Sequence, residues 1–453
     1  MLPVHNRHTL AYRAAEAAQV MSWLKAGQSG CLIGLRGAGK SNFLRFLLRA
    51  DVRQHYLGQH SADFALMLVD LLALTERAEW AVWELILVQL LAEINTSNAE
   101  PGTVEELTAL HKEVMRTKHP LIARRASERC MALLCQRPTH HIALFLDNFD
   151  SVFGALDQSL FLGLRALRDA YKDRLSYVVA VADDLINLRP NIDEVEPFHQ
   201  LVTQNICDLG PCSEADARQI IRYHASQRSL ELSVDDTTRL IALSGGHPSL
   251  LKAILRFLWN TSRGGNLDQA ASSLMDEPLV HTECRKVWDS LSQSEQIALR
   301  TLVDGTLPDS QMLERLRRRG LIRTDLARSP AVFSPLFVDF VRQQTATSPT
   351  RHVVINRALR EVQLEGRRIT TLTELEFEAL CYLYEHRGQV CTKDDLITNV
   401  YRLQHERMKG GVTDETLQTL ISRLRNKIEP DREPRYVVTV RGEGYRFVEP
   451  GPR

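Results

Sequence analysis

The chain has 453 residues, 44% hydrophobic and 25% charged, which is the balance of a globular protein divided into roughly two to four domains rather than built on one core. Lysine plus arginine equals aspartate plus glutamate at 56 each, which excludes nucleic-acid binding through total charge; any such surface must be local. No apolar run approaches the ~18 residues of a membrane span, the N-terminus has no signal-peptide core, and eight scattered cysteines form no C-x-x-C pair, so a reduced cytoplasmic protein without a membrane partner is expected.

Residues 1–210 alternate helical stretches with short apolar segments at 31–35, 64–72, 142–147, 176–182 and 205–209. Segments this dense in β-branched and apolar residues are strands buried on both faces, and the alternation predicts an α/β core with a parallel sheet. Residues 211–276 carry no strand pattern. They read as a helical domain beginning at Ser213, with Asp216 three residues on. Residues 277–344 hold a capping box at Ser292 and Glu295, a second helix stopped by Gly320, and a β-ribbon, the pattern of a winged helix. Residues 345–352, beginning TATSPT, read as a linker. The last unit, 353–453, opens with strands around a Glu365-Gly366 turn, continues with helices, and closes with the strand pair RYVVTV and YRFVEP.

The stretch GLRGAGKSN matches G-x-x-x-x-G-K-[ST]. The residues expected to surround a phosphate are Gly34, Arg36, Gly37, Ala38, Gly39, Lys40, Ser41 and Asn42. Glycines let successive N–H groups converge on an anion, and the following helix adds the positive end of its dipole. Lys40 reaches the terminal phosphates and Ser41 is a ligand for Mg2+. A glycine turn with a solvated lysine is the alternative, but an apolar strand precedes the loop and the amphipathic SNFLRFLLRA follows it. Asp147 ends the apolar run IALFLD and is the expected metal-holding acid. The next position is Asn148, which cannot accept a proton, and Asp150 is the nearest carboxylate to replace a catalytic glutamate. Hydrolysis by Lys40, Asp147 and Asp150 is therefore expected to be slow. A further strand falls between the phosphate loop and Asp147, and no N-K-x-D guanine motif is present, so ATP or ADP is the expected nucleotide.

Taken in order, GLRGAGKSN, IALFLDNFD, SGGHPSLL at 244–251 and the unit 284–344 resemble the STAND class of AAA-related ATPases, over about residues 30–344. The resemblance implies a phosphate-loop core, a helical lid and a winged helix, with the lid closing over bound ADP. Carried over, Pro248 would contact the adenine and His247 a phosphate. Asp183 departs from the pattern, standing where many relatives place a polar or arginine sensor; Arg165, Arg168 and Arg174 just before it are either a neighbouring subunit's finger or a solvated helix face.

Residues 353–449 closely resemble the OmpR/PhoB-type winged-helix DNA-binding domain, on LTELEFEALCYL, ISRLRNKI and YVVTVRGEGYRF. The resemblance implies a third helix in the major groove and a hairpin wing on the backbone or minor groove of double-stranded DNA. Leu417, Leu420, Ile421, Leu424 and Ile428 form the expected buried stripe of that helix. Thr416, Gln418 and Thr419 are then candidates for base edges, Arg423, Lys427 and Thr439 for phosphates, and Arg441 for the wing. Residues 423–446 hold seven basic side chains against four acidic ones, so the positive charge is local. Glu415 is acidic where many relatives are not.

The whole reads as a nucleotide-controlled DNA-binding regulator whose switch is an ATPase in place of a receiver domain. A DNA-loading ATPase and a defence sensor are the alternatives. Self-association and a protein or small-molecule trigger remain open.

Overall fold

The computed structural model describes residues 8–96, 101–136, 141–189, 191–227, 230–261, 274, 276–324, 329–347, 353–357, 361–364, 367–369, 372–401, 414–428, 436–440 and 443–448. The chain divides into two compact units, 1–342 and 343–453.

In the first unit five parallel strands form one sheet: β1 (Gly30–Ile33), β2 (Phe64–Asp70), β3 (His141–Asp147), β4 (Leu175–Val181) and β5 (Ile206–Asp208). Their order is β2-β3-β4-β1-β5. All five coincide with the expected apolar segments, β1, β3 and β4 each starting one residue earlier, because both sheet faces are covered. On one side Cys31, Leu144, Leu146 and Val179 pack with Trp83, Ile86 and Leu90 of the helix Glu79–Thr96. On the other, Leu32, Phe145 and Val178 share a core with the phosphate-loop helix, the lid and the first winged helix. β2 lies between the two motif strands in chain order, but in space it is the sheet edge, and β4 stands between β1 and β3. The β2 strand also stops earlier than its apolar run. The Asp70 carboxylate accepts the Leu72 amide at 3.2 Å and turns Leu71–Ala73 into a 3-10 turn.

The lid consists of the helices Glu214–Ser226, Val234–Ser244 and Pro248–Thr261. Ser213 caps the first as expected, accepting the Asp216 amide. The winged helix follows with helices Pro278–Trp288, Gln293–Val303 and Ser310–Arg318, the ribbon β6 (Ile322–Thr324) and β7 (Pro330–Val332), and the helix Pro335–Thr347. Ser292 and Glu295 make the expected capping box. The final helix continues three residues into the stretch read as linker; 348–352 lie outside the described residues.

Lid and winged helix close on each other where side chains are missing. Gly245 ends the second lid helix at φ 60°, and a Cβ there would sit 2.0 Å from the Phe333 carbonyl oxygen. The Ser334 hydroxyl donates to the Leu243 carbonyl at 2.6 Å beside it.

The second unit has an antiparallel sheet β8 (Val353–Asn356), β9 (Glu361–Leu364) and β10 (Arg367–Ile369), helices Glu374–Glu385, Lys393–Val400 and Asp414–Ile428, and a second sheet of β11 (Val390–Thr392), β12 (Val437–Val440) and β13 (Gly444–Phe447). The Glu365-Gly366 turn lies outside the described residues, between the paired Leu364 and Arg367. No helix among the described residues is long and apolar enough to cross a membrane.

Gly245→Ala is expected to destabilise the first unit by at least about 2 kcal/mol, since left-handed strain of ~1–2 kcal/mol adds to the collision with Phe333. Urea unfolding followed by tryptophan fluorescence checks this.

Candidate nucleotide site and DNA-recognition helix

β1 delivers the chain into the phosphate loop at the carboxyl edge of the sheet. Gly37 and Gly39 adopt φ 82° and 95°, which only glycine enters without strain, and Gly39 is the residue before the helix Lys40–Leu47. Gly34 packs against Leu209, where a Cβ would meet a carbonyl oxygen at 2.7 Å. Ala38 is buried and Arg36 exposed. Beside the loop is a cavity of about 680 Å3, whose lining includes Arg36, Lys40, Ser41 and Asn42. Asn148 and Asp150 reach it from the end of β3, and Arg77 from beyond β2. Ser249 and Lys252 reach it from the lid.

Lys40 donates to the carbonyls of Gly34 (2.6 Å) and Leu35 (3.3 Å), its own loop. Burial pushes its ammonium down to about 8, against the opposing pull of Asp150 and then Asp147; Arg319 and Arg36 push further. Burial raises the Asp147 carboxyl above the ordinary carboxylate range, while the Ser41 hydroxyl and the Asn148 amide, at 3.0 Å, draw it back. Its second oxygen, Oδ2, is buried without a hydrogen-bond partner. An orphan carboxylate oxygen next to the loop serine fits a hard divalent cation.

Asp70 was not anticipated. Register places it directly beside Asp147 on the neighbouring strand. It accepts the Asn148 Nδ2 donor at 2.9 Å and faces Arg45 at 3.6 Å. Asn148 takes φ 57°, so the residue in the usual glutamate position turns its amide toward Asp70. Asp150 is the carboxylate that lines the cavity. In the sequence Asp70 lies inside the apolar run 64–72 rather than at its end, so the signal that identified Asp147 did not mark it.

The lid turn sits directly on the loop. The Ser249 amide donates to the Gly37 carbonyl at 3.2 Å, and a Cβ on Gly37 would lie 2.3 Å from Ser249 Oγ and 2.8 Å from His247 Cε1. Pro248 is the first residue of its helix, its ring 3.7 Å from where a Gly39 Cβ would be. His247 is fully buried, with Nδ1 3.2 Å from Ser249 Oγ and Nε2 without a partner. Burial pushes its imidazole down to about 4.

Asp183 is buried just past β4 and pairs with Arg315 and Arg319 of the winged helix rather than facing solvent. Arg165 donates to Asp169 and to the Pro197 carbonyl, each at 2.8 Å. Arg168 is buried on the Gly27 carbonyl, and Arg174 bonds the Cys135 carbonyl. Neither a finger for a neighbour nor a solvated face describes Arg168.

In the second unit the five residues expected in the stripe of helix Asp414–Ile428 are all buried. Thr416, Gln418, Thr419 and Arg423 are exposed. The Thr419 hydroxyl also bonds the Glu415 carbonyl at 2.8 Å. Lys427 is committed inward, 2.6 Å from the buried Glu376. Thr439, exposed on β12, accepts from Arg425 at 2.8 Å, and Arg425 also holds the Val437 carbonyl. Arg441 lies outside the described residues.

A five-stranded phosphate-loop core, closed by a helical lid and a winged helix and followed by a second winged helix, defines a STAND-class nucleoside-triphosphatase architecture. The chain belongs to the Novel STAND NTPase 1 family, whose model matches residues 6–380. Residues 366–447 match the model for the C-terminal part of transcriptional regulatory proteins. An uncharacterised transcriptional regulatory protein of Bacillus subtilis, YclJ, is 31% identical over 144 residues, 32% of this chain. The chain spans about half, 56%, of the length of that relative. Among solved structures, a Walker-type ATPase of Pyrococcus abyssi is 14% identical with a TM-score of 0.49, covering 73% of this chain and 95% of that one. The DNA-binding domain of Klebsiella pneumoniae RstA, solved with the RstA box, is 32% identical with a TM-score of 0.19, over 22% of this chain and 92% of that one.

The neutral, buried His247 makes stability pH-dependent. Its folded value lies below the ordinary 6.5, so the unfolded chain binds the extra proton and stability falls as pH drops from about 6.5 to 4, by on the order of 3 kcal/mol. In His247→Gln that part of the loss is expected to vanish, as measured by urea midpoints across this range.

Proposed function

We propose that this protein is a nucleotide-controlled transcriptional regulator: an adenine nucleotide in the first unit governs double-stranded DNA binding by the second. One observation carries the reading. The phosphate loop, the lid turn and basic side chains of both converge on one cavity, in a chain that also carries a regulator-type DNA-binding domain. Gly37, Gly39, Lys40 and Ser41 cradle the phosphates, with Arg36, Arg77 and Lys252 adding positive charge to the cavity wall. Ser41 and Asp147 would hold Mg2+, which neutralises phosphate charge. His247 and Pro248 close the site from the lid, Pro248 toward the base.

Hydrolysis, where it occurs, falls to Asp150, the cavity-lining carboxylate, because Asn148 has no proton-accepting oxygen of sufficient basicity. The resulting slow turnover gives the triphosphate state a long lifetime, as a switch requires. Control needs differential affinity for two conformations, and the lid–loop contacts are where it arises. On DNA, Thr416, Gln418 and Thr419 face base edges, and Arg423 and the wing residue Arg441 contact phosphates. Lys427 and Thr439 act indirectly, by fixing the helix against its neighbour and the wing.

The test is selection of the full chain's DNA sites from a random pool, with ADP or with a non-hydrolysable triphosphate. Enrichment that differs between the two supports the reading; identical retention with both rejects it. Rapid, DNA-stimulated turnover would favour a loading ATPase instead. Lys40→Ala is expected to weaken nucleotide binding by at least about 100-fold, roughly 3 kcal/mol, in a fluorescent-nucleotide titration. In the unaltered protein the affinity should decline above pH ~8, by up to about tenfold per unit, as Lys40 loses its proton; proton uptake on binding, read by calorimetry in two buffers, checks the assignment.

A further inference from the structure

The cavity beside the phosphate loop is lined by four cationic side chains, Arg36, Lys40, Arg77 and Lys252, against one carboxylate, Asp150. Three of the four lie at one end. Arg36 and Lys40 belong to the loop and helix start that follow β1. Lys252 sits less than one helical turn beyond Ser249, whose amide donates to the Gly37 carbonyl at 3.2 Å. Arg77 comes from the opposite side. It follows β2, the edge strand, and in the order β2-β3-β4-β1 roughly 14 Å of interstrand spacing separates β2 from β1. The cavity therefore runs across the tips of these strands, with Asn148 and Asp150 after β3 and Ala182 after β4 between its ends.

The segment that carries Arg77 is tied down on both sides, while its guanidinium is left open. Before it, Asp70 accepts the Leu72 amide at 3.2 Å and the Asn148 side-chain amide at 2.9 Å, which joins the turn to the end of β3. The nearest acids on either side of Arg77 are committed elsewhere. Glu76 accepts the Trp80 indole N–H at 2.6 Å and pairs with Lys118 at 3.5 Å. Glu79 accepts the Trp83 indole N–H at 3.2 Å and the Ser159 hydroxyl at 2.6 Å. Arg77 itself is exposed and has no hydrogen bond or ion pair among the described residues. A guanidinium without a counter-charge, on the wall of a cavity rich in cations, is built to take an anion. The end of β4 offers no cation in its place: Ala182 is uncharged, and Asp183 after it is buried on Arg315 and Arg319.

We propose that Arg77 is the ligand of the third phosphate, and so the residue by which this site tells a triphosphate from a diphosphate. The assignment rests on the nucleotide reading above. The loop end of the cavity serves the phosphates that both nucleotides share, through its N–H groups and Lys40. The third phosphate is the one that extends toward Asp150 and Arg77. There the planar fork of Arg77 gives a charge-assisted pair to the terminal oxygens. It does so on the side of the cavity that holds Asp150, the carboxylate assigned to hydrolysis.

Titration of the full chain with fluorescent ADP and with a fluorescent, non-hydrolysable ATP analogue tests this. Arg77→Ala is expected to weaken the triphosphate about 30-fold and the diphosphate less than about threefold. Arg77→Lys, which keeps the charge and loses the fork, is expected to lose only about fivefold for the triphosphate. A triphosphate loss in Arg77→Ala below about threefold, or equal losses for both nucleotides, overturns the assignment. On the unaltered chain, amides of residues 72–78 should exchange at least about threefold more slowly with the triphosphate than with ADP; equal exchange also overturns it. Should Arg77→Ala fail to fold, that measurement decides. If the parent binds neither nucleotide, the nucleotide reading and the role of Arg77 fall together. If it binds both and Arg77→Ala leaves both affinities as they were, the role of Arg77 alone falls.

Discussion

The contact on which the first unit depends is the seating of a lid turn on bare backbone. Ser249 and His247 reach the phosphate loop only because Gly37 has no side chain. One N–H···O bond, from Ser249 to the Gly37 carbonyl, joins the two. The same glycine is needed for the loop to curl around an anion. A single position thus governs both the curl of the loop and the seating of the lid turn on it, and neither can change without the other. That is the physical basis of communication here: whatever moves the loop moves the lid, and the lid is packed through Gly245 and Leu243 onto the winged helix.

The loop is also internally satisfied. Lys40 bonds carbonyls of its own turn, and Asp147 keeps one oxygen unpaired. Both groups sit buried at a cost in desolvation, visible in the lowered ammonium and the raised carboxyl. Phosphate and metal would remove those costs at once. A bound metal would thus meet the unpaired Asp147 oxygen, in surroundings that the lid keeps low in dielectric.

Much of this was legible in the sequence, and the reasons are local. The G-x-x-x-x-G-K-[ST] spacing specifies loop geometry without reference to the rest of the chain. Continuous apolar runs ending in Asp147 mark strands buried on both faces. The stripe of Leu417, Leu420, Ile421, Leu424 and Ile428 follows from helical period alone. What was not legible depends on register and on packing between distant segments. Asp70 becomes a site residue only because β2 and β3 pair so that it lies beside Asp147, a relation that spans 77 residues of chain. Asp183 looked like a missing sensor when read alone, and its partners Arg315 and Arg319 lie more than 130 positions away. Lys427 looked like a phosphate contact because its period places it near the surface. A glutamate 51 residues upstream takes its charge.

That last pairing has a counterpart in the first winged helix. Glu295 and Glu376 are each the third residue of a helix, each in a capping box, and each buried. Each also receives a cation from a later helix of its own domain: Arg315 and Arg319 for Glu295, Lys427 for Glu376. A capping glutamate must keep one oxygen on the N-cap amide, so its position is fixed to within a hydrogen bond. The cation that docks on it inherits that precision. In the first winged helix the anchored cations continue outward to Asp183, so the anchor lies between the cap and the core. In the second unit the Lys427–Glu376 pair fixes helix Asp414–Ile428 against helix Glu374–Glu385. The same local device thus orients a helix toward a neighbouring domain in one case and stiffens a presenting helix in the other. The difference lies in number: in the first winged helix two guanidinium groups share the buried Glu295 and each also meets Asp183.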